Sequence, residues 1–216
     1  MFLESSPVTT WAGENLRPRL HPTAFVHHSA VLIGDVRVGS NVIICPGVVI
    51  RADEGSPIII GDGANIQDGV IMHCLMGSAI EIGENCSIAH GAVIHGPCAI
   101  GRDTFVGFNA VVHDARLGDG CFVSHCALVT GVTLPAQTLV PPGRTVQSRE
   151  ESADLPVAGE KEKEFNRKVV KVNDELRRGY KNINHLEIHH LEHHHDHRVT
   201  GRRPLKDEER DCINVG

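Results

Sequence analysis

Aliphatic residues recur every six positions through most of this chain, an interval that neither an α-helix nor simple strand alternation requires. Val26, Leu32, Val38, Ile44 and Ile50 fall in step. After an insertion of four residues the series resumes at Ile60, Ile66 and Met72, and after a second at Ile82, Ile88, Ile94, Ile100, Val106 and Val112. Single-residue slips then lead to Leu117, Val123 and Val129, and to Leu134, Val140 and Val146. Glycine follows the aliphatic position at 39, 61, 83, 101, 107 and 118, which predicts turns that need its backbone freedom. Short strands joined by turns satisfy the pattern. Three of them make a triangular coil of about 18 residues, and coils stack in parallel about 4.8 Å apart.

Composition agrees with a narrow interior. Aromatic residues are 4% of the chain while glycine reaches 22 residues, and Val, Ile, Ala and Cys fill a space where rings cannot repeat. The hexapeptide pattern resembles that of left-handed β-helix proteins, an exception to the usual right-handed crossover. The fold class expected is therefore all-β: a left-handed parallel β-helix spanning residues 21–148, after an N-terminal segment at 1–20. The insertions, Asp53–Pro57 and Leu75–Ala79, should protrude from corners. From Ser148 the period stops, and residues 149–182 read as a C-terminal helix packed on one wall. Its apolar stripe would be Phe165, Val169, Val172 and Leu176, with Asp154 or Asn166 as cap.

The last segment, 183–216, is expected to be largely disordered, and it holds His185, His189, His190, His193, His194, His195 and His197. A solvated tail without function and a weak metal buffer are both compatible with that run. Seven cysteines without a CxxC pair, six of them in apolar runs, read as buried free thiols of a reducing compartment. The start lacks a basic region before an apolar run, and no apolar stretch approaches 18 residues. The expectation is a cytoplasmic protein with no membrane span. A net charge of −6 without a basic stripe in the first 150 residues argues against nucleic acid as a partner.

Three histidines stand out by register. His73 follows the in-step Met72 and His95 follows the in-step Ile94, so the two should lie one above the other on one wall. His90 falls about one repeat before His95, on a neighbouring wall. A threefold oligomer would bring His90 of one subunit to His73 and His95 of another. Three imidazoles with an open fourth position are a catalytic rather than a structural zinc set.

The residues around them resemble a known family. Ile50-Arg-Ala-Asp-Glu-Gly, Asn65-Ile-Gln-Asp-Gly, His73 and Ala89-His-Gly-Ala-Val-Ile-His-Gly-Pro97, continued by Asp103-Thr-Phe-Val-Gly-Phe108, are similar to the γ-class carbonic anhydrases over about residues 20–180. The resemblance implies a homotrimer with His73, His90 and His95 on a zinc, iron(II) or cobalt(II) ion, and interconversion of CO₂ and bicarbonate. It assigns Gln67 to hydrogen-bond the attacking hydroxide. Glu54 would orient bicarbonate or relay protons, and Asn173 would be an active-site amide of the C-terminal helix. Arg51, Asp53 and Asp68 would form an ion-pair cluster across the subunit interface.

One departure is plain. The long acidic loop that carries a proton-shuttling Glu in this family is missing, since only CLMGSAIEIGENCSIA separates His73 from His90. Glu81 and Glu84 in that stretch fall on a wall and a turn. Two other functions share the solenoid. One is a catalytically weak or inactive trimeric assembly module, as related domains are in carboxysomes and respiratory complex I. The other is a hexapeptide-repeat acyltransferase, which uses a single His base and a CoA groove and has no need of this histidine set.

Overall fold

A computed structural model describes residues 2–190, with side chains to Ile183. The in-step aliphatic residues form three columns, one per wall of a parallel β-solenoid. On the first wall Val26 pairs with Ile44, which pairs with Ile66, and the column continues through Ile88, Val106, Val123 and Val140. The second column is Leu32, Ile50, Met72, Ile94, Val112, Val129 and Val146. The third is Leu20, Val38, Ile60, Ile82, Ile100, Leu117 and Leu134. Nearly all are fully buried, and each such side chain contributes about 1.5–3 kcal/mol relative to exposure. The small residues between them, such as Ala64, Ala92, Cys86 and Ala110, turn the corners inside the prism.

The glycines that follow the in-step positions act by space rather than by torsion. A Cβ on Gly83 would stand 2.5 Å from the Arg102 amide nitrogen and 2.8 Å from the Gly101 carbonyl carbon of the next coil. Positive φ falls instead two residues further on, at Asn41, Gly63, Asn85, Asp103, Asn109 and Gly120, and at Gln137 in the equivalent place after Leu134. Glycine is thus needed where coils stack at van der Waals contact, and the turn itself accepts Asn, Asp or Gln.

Both insertions lie between strands, after Val49–Ala52 and after Ile71–His73. The sheets start earlier than residue 21: Phe2–Glu4 pairs with the strand Val31–Gly34, and Arg19–Leu20 with Val36–Val38. At the other end Ser148 accepts from the Glu151 N–H and caps a short helix, α1 (Arg149–Ala153).

The single helix expected over 149–182 is two. After a break containing Pro156, α2 runs from Glu160 to His190, past the expected end at 182. Its solenoid-facing side also differs. Phe165 sets its ring edge-on to Phe105 and Phe122, but Val172 and Leu176 are exposed. The buried positions are Asn166 and Arg177. Asn166 is no cap: mid-helix, its amide donates to the carbonyls of Asn85 and Asp103. Arg177 donates to the Thr23 carbonyl at 2.8 Å and pairs with Asp174. Coil corners end in bare carbonyls, so the helix face that meets them carries donors. The apolar spacing pointed to the wrong side.

Among the described cysteines Cys74, Cys86, Cys98 and Cys121 are buried and free, and burial pushes the Cys45 and Cys86 thiols up to about 12. Cys126 is exposed at a left-handed corner, against expectation. Residues 191–216, with His193, His194, His195 and His197, lie outside the described residues, as do the side chains of His185, His189 and His190. Among the described residues no helix is long and apolar enough to cross a membrane.

Candidate metal centre

His73 and His95 are direct register partners on the second wall, and His113 continues the column below them. His73 Nδ1 and His95 Nε2 face each other at 3.3 Å. Two nitrogens bound at 2.0–2.1 Å to one tetrahedral ion stand about 3.3–3.4 Å apart, so the pair is spaced as two corners of such a site. The other ring nitrogens, His73 Nε2 and His95 Nδ1, are buried without a hydrogen-bond partner, as is Asp53 Oδ1. Buried polar atoms without a partner are uncommon in folded proteins.

Carboxylates gather on the free side of His73. Glu54 Oε1 is 3.3 Å and Asp53 Oδ1 3.6 Å from its Nε2, without hydrogen-bond alignment. Glu54 Oε2 accepts from the Met76 N–H at 3.0 Å, which ties the first insertion to the second. Gly55 beside it packs on Ala12, whose Cβ would be 2.9 Å from a Cβ at that position. Arg51 is the rung above His73 and donates to Asp53 Oδ2 at 3.0 Å. A carboxylate on the second imidazole nitrogen is the usual way a ligating histidine is oriented.

His90 is elsewhere. It sits on the corner after the first wall, its side chain 54% exposed, with Nδ1 3.0 Å from Asp68 Oδ2. Asp68 therefore meets His90 within the protomer, not Arg51. Gln67, one residue before Asp68, is buried, and its Nε2 donates to Asn65 Oδ1 at 2.8 Å. Asn65 in turn donates to Ser87 Oγ at 2.9 Å. Asn173 keeps its amide on its own helix, donating to the Val169 carbonyl. Among the described residues, no three His, Cys, Asp or Glu side chains able to hold an ion come together in one chain.

The sequence reading missed the buried relay Gln67–Asn65–Ser87 and the rung His113. Ser87 follows Asn65 by 22 residues, the same interval that links His73 to His95. The signal was present and belongs to the register.

The chain matches the bacterial transferase hexapeptide family (six repeats) over residues 17–52 and 79–114. The carbonic anhydrase of Methanosarcina thermophila is 38% identical over 200 residues, covering 83% of this chain and 81% of that protein. The carboxysome assembly protein CcmM of a Nostoc species is 38% identical over 186 residues, 82% of this chain, and the chain spans 34% of that protein's length. A solved hexapeptide transferase family protein from Anaplasma phagocytophilum superposes with a TM-score of 0.65 at 30% identity, covering 78% of this chain and 95% of its own.

Proposed function

Because the chain belongs to the γ-class carbonic anhydrase family, we propose that it is a metal-dependent carbonic anhydrase whose centre is shared between copies of a homotrimer. The observation that carries the reading is the 3.3 Å pair His73 Nδ1–His95 Nε2, with His90 on a different wall. One chain offers two ligands on a wall and a third at a corner, so a second copy must supply what the first lacks. The second wall also has an outward apolar column suited to such contact. Val31, Val49, Ile71, Val93, Val111 and Leu128 are register neighbours, and Ile71 is 46% exposed.

When bound, a zinc, iron(II) or cobalt(II) ion would supply the Lewis acidity that lowers the pKa of a water to about 7. Gln67, its Nε2 committed to Asn65, leaves Oε1 to accept the O–H of the nucleophile and turn a lone pair toward CO₂. Glu54, held at Oε2 by the Met76 N–H, keeps Oε1 beside His73, where it can accept a proton or the O–H of bicarbonate. Arg51 and Asp53 are bonded to each other beside the same wall, and an active-site role for Asn173 rests on the family resemblance alone.

A second reading is an assembly module with little or no activity. Two features favour it: the loop after His73 carries no carboxylate through Ala79, and the relative of carboxysome assembly matches 82% of this chain. Stopped-flow CO₂ hydration separates the two. Anaerobically purified protein loaded with zinc or iron should hydrate CO₂, and His90→Ala should lose both metal and rate. A loaded wild type with no rate above buffer would leave the assembly reading. A fully metallated, fully active His90→Ala would overturn the shared centre.

A further inference from the structure

Resting on the shared centre proposed above, we infer that a ladder of four side chains down one corner, Asp68, His90, Phe108 and His125, positions His90 as a ligand and fixes its tautomer. These residues stand two places after Ile66, Ile88, Val106 and Val123, which are stacked register partners of the first wall. Side chains on a solenoid corner are free to fan outward. Here each touches the next.

From above, Asp68 Oδ2 lies 3.0 Å from His90 Nδ1. A carboxylate has only acceptors to offer, so Nδ1 carries the hydrogen and Nε2 keeps its lone pair. From below, the Phe108 ring sits 5.2 Å from the imidazole, tilted by 37°. Phe108 is itself stacked on His125, 4.2 Å apart and 15° from parallel. His125 cannot turn without losing a bond, because its Nδ1 accepts the Phe108 N–H at 2.9 Å. That contact requires the neutral ring, and burial lowers the His125 pKa in the same sense.

The arrangement answers a physical need. His90 is half exposed, and an unsupported imidazole on a corner spreads over several rotamers. His73 and His95 are held by their wall and by each other, and His90 has no such neighbour. Asp68 and the ring stack take that role before any second copy arrives. The resemblance alone gave Asp68 an interface ion pair and Phe108 nothing.

The full-length chain tests this with three readouts: zinc affinity by chelator competition, the visible spectrum of the cobalt(II) form, and oligomeric state by sedimentation. Asp68→Ala and Phe108→Ala should weaken zinc by roughly 10–100-fold and alter the cobalt bands while the oligomer persists. Asp68→Asn should lose less, because its Oδ1 still accepts the Nδ1 hydrogen. Wild-type affinity and spectrum in both alanine variants, beside loss in His90→Ala, would overturn the ladder and leave the shared centre standing. Wild-type zinc binding by His90→Ala would instead overturn the shared centre. Dissociation of Asp68→Ala into protomers, with zinc affinity restored at high protein concentration, would assign Asp68 to assembly and also overturn its positioning role. Should Phe108→Ala fail to fold, the Asp68 pair carries the test.

Discussion

Asp35 illustrates how a single side chain is set by neighbours the sequence hides. Its carboxylate is nearly buried and receives Arg37 through two bonds, at 3.0 and 2.7 Å, and Arg19 at 2.9 Å. The Arg37 hydrogen bond holds its pKa below the ordinary range against the opposing pull of burial, and Arg19 adds to it. A carboxyl depressed in the folded state contributes stability above its unfolded pKa of about 3.9 and loses it as pH falls through the folded value. Both arginines are well exposed, at 67% and 46%, so the contribution at neutral pH should be about 1 kcal/mol. Urea unfolding of Asp35→Asn should show that deficit at pH 7 and a shrinking one below pH 4; a gap that stays constant with pH would refute the assignment. The spacing Asp35–Arg37 is visible in the sequence. Arg19 joins only because the coil beginning near residue 19 lies directly over the one beginning near residue 36. His73 and His95 were legible for the converse reason: their 22-residue interval is one coil plus one insertion, and nothing else is needed to stack them. Gln67 and His90 were legible as residues but not in their partners, because corner side chains meet neighbours that no periodicity counts.

At the scale of the element, the coil is where glycine separates two causes. Gly83 has ordinary torsions but no room, whereas Gly143 has a φ of +66° and nothing within 4 Å of a Cβ. Gly83→Ala forces two coils apart and should cost about 3 kcal/mol, and Gly143→Ala strains one residue and should cost about 1–2 kcal/mol. Thermal unfolding of the two variants gives the order directly, and the reverse order would mean that torsion rather than stacking selects these glycines. The repeat singled out only the first set and assigned it to turns, since a period records where glycine falls and not what would collide with a Cβ. The helix shows the same limit. The stripe Phe165, Val169, Val172 and Leu176 was correctly spaced for a helix, but burial fell to Asn166 and Arg177, which answer open carbonyls at the coil corners. Apolar spacing finds a helix; it does not say which surface the helix must satisfy.

For the whole molecule, the proposed trimer makes the second wall an interior. Ile71 stands on that wall beside the His73 rung, and an aspartate there would place an unpaired charge between subunits. Ile71→Asp should shift sedimentation from three copies to one and strip the bound metal, with the β-sheet circular dichroism unchanged. A trimer that survives the substitution would exclude this wall as the interface. The oligomer could be argued from sequence only because His90 falls on a different wall from its partners.

The contacts of α2 bear on how the chain behaves as a cooperative system. A solenoid couples each coil chiefly to the next, so an isolated stack can fray from its ends and unfold in stages. The helix breaks that one-dimensional logic. Arg177 and Lys181 bond to carbonyls of residues 154 and 159 positions earlier, in the first coil, while Asn166 bonds to the coils of Asn85 and Asp103. Loss of the first coil therefore releases the helix, and release of the helix bares the middle coils. An array of weakly coupled repeats is bound by its last segment into a unit that melts together, and the corner that presents His90 is spared the fraying that would scatter it.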